Sequence, residues 1–117
     1  MAAKSFTVSH NSIRIKVRVL PTILDVHRAY QIAPGGRARP GKIVHAFFRE
    51  TRTGKHTGTI FLPQDGRMPE LVPHEVSHAV ILAQGGVLPR DDEAYCTAVG
   101  ILCARIFRRV EQIGGAA

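Results

Sequence analysis

The chain of 117 residues has no tryptophan, only seven aromatic side chains and only two cysteines. Without tryptophan and with so few rings, the core must be built mainly from aliphatic residues. Cys96 and Cys103 fall in one predicted helix, about 10.5 Å apart along its axis, which is beyond the roughly 7 Å reach of a disulfide. They read as small buried apolar residues, and nothing calls for an oxidising compartment. No apolar run approaches the roughly 20 residues that span a bilayer, so no membrane partner is expected. The opening segment MAAKSFTVSH lacks the apolar stretch of a secretory signal, so a cytoplasmic location, or release by a route that leaves no such signal, is the expectation. Acidic residues are also scarce, nine against sixteen Lys and Arg, for a net charge of +7. That balance permits a nucleic-acid or acidic partner without requiring one.

Hydrophobic residues make up 44 % of the chain, enough for one domain over residues 1–117, with 1–10 and 114–117 expected to be flexible. Residues 12–19 alternate: Ile13, Ile15, Val17 and Val19 against Arg14, Lys16 and Arg18, the pattern of a strand with one buried face. Thr22 and Asp25 have the spacing of a capping box, opening a helix whose apolar positions are Leu24, Val26, Ala29, Tyr30 and Ile32. It ends at Ala33-Pro34-Gly35-Gly36. A second strand is predicted over 42–49 and a third over 57–62, joined by the turn at 51–55 as a hairpin. A further helix begins near Pro69 or Glu70, or at Pro73, and stops at Gly85-Gly86. The last helix starts at Asp91 or Asp92 and runs to about Ile113. The predicted fold is α+β in the order β-α-β-β-α-α. The apolar run from Ala94 to Ala104 is expected to be buried almost all round, which allows a monomer or a weak dimer.

Residues 74–78 read His-Glu-Val-Ser-His. On a helix, His74 and His78 lie one above the other, so two imidazoles can hold one divalent ion. Glu75 beside the first ligand can reach a water on that ion, which is the pattern of a zinc peptidase helix. Ser77 is too ordinary in such a position to read as a nucleophile. Catalytic zinc sites use a third protein ligand, and no histidine follows His78, leaving Asp91, Asp92 and Glu93. Glu93 heads a face continued by Cys96, Thr97, Gly100, Cys103 and Ala104, small enough to admit the histidine helix closely and so to turn Glu93 toward the metal. Acids are also favoured at a helix start by its dipole, which accounts for the cluster without any metal.

HEVSH followed by Glu93-Ala94-Tyr95-Cys96-Thr97-Ala98 resembles the gluzincin arrangement, and in particular the minigluzincins and the ImmA/IrrE-like metallopeptidases of phages and mobile elements. The resemblance covers residues 57–105. It implies a small zincin-like domain, a short sheet packed on an active-site helix and a glutamate helix. It also implies one zinc ion held by His74, His78 and Glu93, with Glu75 as general base in hydrolysis of a peptide or protein substrate. The 57–62 strand is then a candidate edge for an extended peptide. Tyr30 and Tyr95 can serve as oxyanion donors or pack in the core. His45 and His56 read best as exposed histidines of the hairpin. Two other classes compete. One is a zinc-containing binding or regulatory protein without turnover. The other is a nucleic-acid-binding domain using Arg14, Lys16 and Arg18, with Arg37, Arg39, Lys42, Arg49, Arg52 and Lys55 beyond them.

Overall fold

Alternation in residues 12–19 is realised as predicted. In the computed structural model, which describes residues 3–33, 36, 41–51, 56–85 and 92–115, strand β2 spans Ile13–Leu20. Ile13, Ile15, Val17 and Val19 are buried, while Arg14 and Lys16 on the other side are exposed. Beside it, Lys4–His10 forms β1, where a flexible end was expected. Phe6 stands opposite Val17 and Val8 opposite Ile15, alternating with Ser5, Thr7 and Ser9. This is the same period of two on a shorter, more polar run. Asn11, at the turn, has φ 53°, a conformation that asparagine tolerates.

Helix α1 (Ile23–Ile32) opens on the predicted capping box: the Asp25 N–H donates to Thr22 Oγ1 at 3.2 Å, and the Thr22 N–H donates to Asp25 Oδ2 at 3.1 Å. Its contribution to the core is narrower than predicted. Val26 is fully buried, but Leu24 and Ile32 are exposed.

Strand β3 is Phe47–Glu50 and β4 is Gly58–Pro63, an antiparallel pair with Phe47 opposite Phe61 and Glu50 opposite Gly58. The predicted turn between them lies largely outside the described residues, at 52–55. β3 is half as long as the predicted 42–49 strand. Its partner ends at Pro63, which has no N–H to extend the ladder. The segment ahead of it is tied to α1 instead, with the Val44 N–H donating to His27 Nδ1 at 3.1 Å.

The sheet order is β1-β2-β4-β3, with β2 and β4 parallel and the other pairs antiparallel. β4 is therefore an interior strand, not the edge that the hairpin suggested. Leu20, Phe47 and Phe61 pack with Val26 of α1 on one face of the sheet. The other face is covered by α2 (Met68–Ala83) and α3 (Asp92–Gly115). There Ile15, Val17, Ile60 and Leu62 meet Val72, Val76 and Val80 of α2 and Ala98, Leu102 and Ile106 of α3. The observed order is β-β-α-β-β-α-α, a small α+β domain with a four-stranded mixed sheet.

Helix α2 starts at Met68, ahead of each predicted start at Pro69, Glu70 or Pro73, so Pro73 lies inside it. Pro73 cannot donate to the carbonyl of Pro69, but both prolines fall within the first six residues, where few intrahelical bonds are at stake. The helix closes on Gln84 and on Gly85 at φ 104°, a conformation open to glycine. Gly86 and Asp91 lie outside the described residues. α3 continues through Gly115, so residues 114–115 are helical instead of forming a loose tail.

The orientation of α3 departs from expectation. Its buried face is Ala98, Leu102, Cys103 and Ile106, whereas Glu93, Cys96, Thr97, Gly100 and Ala104 are exposed. Burying leucine and isoleucine removes more apolar surface from water than burying a stripe of small side chains, and that difference fixes the rotation of the helix. The run Ala94–Ala104 is thus covered on one side only. Cys96 is exposed and Cys103 buried, and both are free thiols. No helix among the described residues is long and apolar enough to cross a membrane.

Candidate metal centre

Along α2, Val72, Val76, Ala79 and Val80 face the core at helical spacing. His74 and His78 fall on the opposite, exposed side, and Glu75 lies on the boundary between the two, buried at 5 % exposure. The two imidazoles converge: their Nε2 atoms are 3.3 Å apart, with the rings nearly perpendicular at 79°. Two nitrogens held about 2.05 Å from a tetrahedral zinc stand about 3.3 Å from each other. The pair therefore has the donor type and the separation that zinc requires of two of its ligands. An N–H···N hydrogen bond between neutral rings has a similar length, so metal loading is the property that distinguishes the two states.

The Glu75 carboxylate completes the group, in which one ligand atom from each of His74, Glu75 and His78 lies within 4.8 Å of the others. Burial raises the pKa of Glu75 above its ordinary value of 4.5, and the neighbouring His74 opposes that rise. The Ser77 hydroxyl donates to the Pro73 carbonyl at 2.7 Å, a bond within the helix that gives it a structural task.

The structure does not bring Glu93 into this group. It stands in the first turn of α3, exposed, on the side of the helix turned away from the core. Of the small-residue stripe expected to aim it at the histidines, Cys96, Thr97, Gly100 and Ala104 are exposed with it, and only Cys103 is buried. Asp91, an alternative ligand, falls outside the described residues, as does the side chain of Asp92.

The group sits on the wall of a cleft of about 590 Å³ that opens at the β3 edge of the sheet. Ala46 and Phe48 form the strand side, Ile81 and Leu82 the helix side, and Tyr30 of α1 also lines it. Tyr30 packs edge-on against Phe47 at 5.2 Å between ring centres. The sequence could not place this tyrosine near HEVSH, because 44 residues and a strand crossing separate Tyr30 from His74. His45 is exposed, and the His56 Nε2 lies 3.4 Å from Thr7 Oγ1. Neither histidine lines the cleft.

Comparison with models of protein families, with curated proteins and with solved structures gives no match.

Proposed function

We propose that this protein is a zinc-dependent peptide hydrolase acting in the cleft between α2 and β3. The observation that carries the reading is the 3.3 Å convergence of the His74 and His78 Nε2 atoms beside a buried glutamate on a cleft wall. His74 and His78 would hold the ion, and the gluzincin resemblance implies Glu93 as the third ligand, a residue that stands outside the group in this structure. Bound there, zinc supplies Lewis-acid polarisation of a carbonyl and lowers the pKa of a water toward about 7. Glu75 takes the proton of the attacking water and returns it to the leaving amine. Its burial suits that task, because a carboxylate poorly solvated by water is a stronger proton acceptor than an exposed one. β3 is an edge strand beside the cleft, so an extended peptide can add to it by main-chain hydrogen bonds, the role that sequence alone assigned to residues 57–62. The Tyr30 phenol is the donor this reading assigns to the oxyanion of the tetrahedral intermediate.

A second reading rests on the composition of the group. The three residues brought together are His74, Glu75 and His78, without Glu93. If Glu75 is itself a ligand, the ion is held with no base to spare, and the protein binds zinc without turnover. One experiment separates the two. Zinc-loaded wild type and Glu75→Gln are incubated with a diverse peptide mixture, cleavage is read by mass spectrometry, and zinc content is measured on the same samples. Hydrolysis lost with zinc retained is the expected result. Zinc lost from Glu75→Gln, with no cleavage by wild type, selects the second reading.

A further inference from the structure

The face of the sheet opposite α2 and α3 is covered by α1 at one end only. The strand register arranges its side chains in rows. Thr7, Lys16, Thr59 and Arg49 cross the four strands in one row, and Ser5, Arg18, Phe61 and Phe47 in the next. Ser9 and Arg14 continue the surface beyond Thr7 and Lys16. No carboxylate stands in these rows. A hollow of about 340 Å³ lies between Lys16, Arg18 and Arg49, floored by Phe61 and edged by Thr51 and Thr59, with Glu50 also on its wall.

We propose that this face binds the phosphate backbone of a single-stranded nucleic acid through Arg14, Lys16, Arg18 and Arg49. Alternate residues of a strand repeat at about 6.8 Å, so Arg14, Lys16 and Arg18 form a straight track of positive charge longer than any single phosphate. Arg49 stands two strands away, about 9.6 Å to the side, and closes the hollow against Lys16 and Arg18. Arginine forks and threonine hydroxyls are the donors that phosphate oxygens accept from. The breadth of the platform points to a single strand: four adjacent strands span about 14 Å, too wide to enter a duplex major groove of about 12 Å. The rings settle the mode of binding. Phe61 and Phe47 are only 7 % and 8 % exposed and stack on each other at 4.3 Å, with the Arg18 guanidinium 5.7 Å from the centre of Phe61. With no free ring for base stacking among the described residues of this face, the contact is to phosphates, indifferent to sequence and sensitive to salt. The proposal is independent of the metal reading, since this face lies across the sheet from α2.

The test is fluorescence anisotropy with the full chain and a labelled oligothymidylate of about 20 nucleotides, titrated from low to moderate salt. Four phosphate contacts give a log–log salt slope of about −2.8, and Lys16→Gln/Arg49→Gln should bring it to about −1.4 and weaken binding about tenfold. The control Arg67→Gln, at the start of α2, should leave both unchanged, where Lys16→Gln alone brings the slope to about −2.1. Circular dichroism of each variant confirms folding, and Lys16→Gln alone replaces the double variant if that one fails to fold. Equal loss in the control overturns the proposal, as does absence of binding by wild type at low salt. So does equal or tighter binding of polyglutamate, which would make the face an acidic-peptide site, or of duplex DNA.

Discussion

The ring of Phe48, paired with Ile60 across β3 and β4, reaches diagonally over Gly58 and fills the space where any other residue would place a Cβ. The same ring forms the strand side of the cleft beside His74 and His78. The shape of the candidate site thus depends on a glycine that does not line it. Gly58→Ala must displace both the ring and the β3 backbone, because the added carbon would also meet the Arg49 carbonyl. A loss of about 1–3 kcal/mol is expected, as for overpacking elsewhere. Urea unfolding with an unchanged m-value and a lower midpoint would report it.

Ligand roles are read by zinc affinity in competition with a chromogenic chelator. His74→Ala and His78→Ala should each weaken zinc by more than about a hundredfold, the upper end of what losing an outer-shell partner costs. Glu93→Ala should weaken it by at least about tenfold. An unchanged affinity in Glu93→Ala would remove that residue from the ligand set.

Glu75 makes the stability of the metal-free protein depend on pH. Its folded pKa lies above 4.5 because burial penalises the charged form. The folded state therefore holds its proton more tightly than the unfolded chain, and stability falls as pH rises from 4.5 through the folded value. Glu75→Gln cannot ionise and lacks this loss. Thermal unfolding of chelator-treated samples should show the variant gaining on wild type as pH rises from 4 to 8. A difference that stays flat with pH would contradict the buried carboxylate.

Gly100 lies on the exposed face of α3, and an added Cβ would meet nothing within 4 Å. Gly100→Ala should therefore stabilise the helix by up to about 1 kcal/mol, the intrinsic difference between the two residues. Had the small-residue stripe packed against α2, the same change would destabilise. Chemical denaturation decides the sign.

Tyr30→Phe keeps the ring against Phe47 and removes only the hydroxyl. If that hydroxyl stabilises the oxyanion, kcat should fall about a hundredfold with KM and zinc affinity unchanged. A rise in KM alone would assign Tyr30 to substrate contact.

What the sequence revealed followed from short-range rules. Alternation located β2, the Thr22–Asp25 spacing located the start of α1, and the i,i+4 spacing put His74 and His78 on one face. What it concealed depended on distant partners. The parallel pairing of β2 with β4, with Ile15 opposite Gly58, has no local signature, so residues 57–62 carry the same pattern as an edge strand. β1 has only Phe6 and Val8 to carry its pattern, too few apolar positions to mark a strand locally. On α3, the small stripe and the Ala98–Leu102–Ile106 stripe both have helical spacing. The choice between them lay in the core that the helix had to fill.

β2 divides its residues by parity, odd numbers from Ile13 to Val19 toward the helices and even numbers from Arg14 to Arg18 toward the open face. Shifting its register by one residue would send three cations into an aliphatic interior and bring valines and isoleucines to water. Charge on one side thus enforces the alignment that hydrophobicity selects on the other. The strand can therefore slide against its neighbours only in steps of two residues without exchanging its two faces.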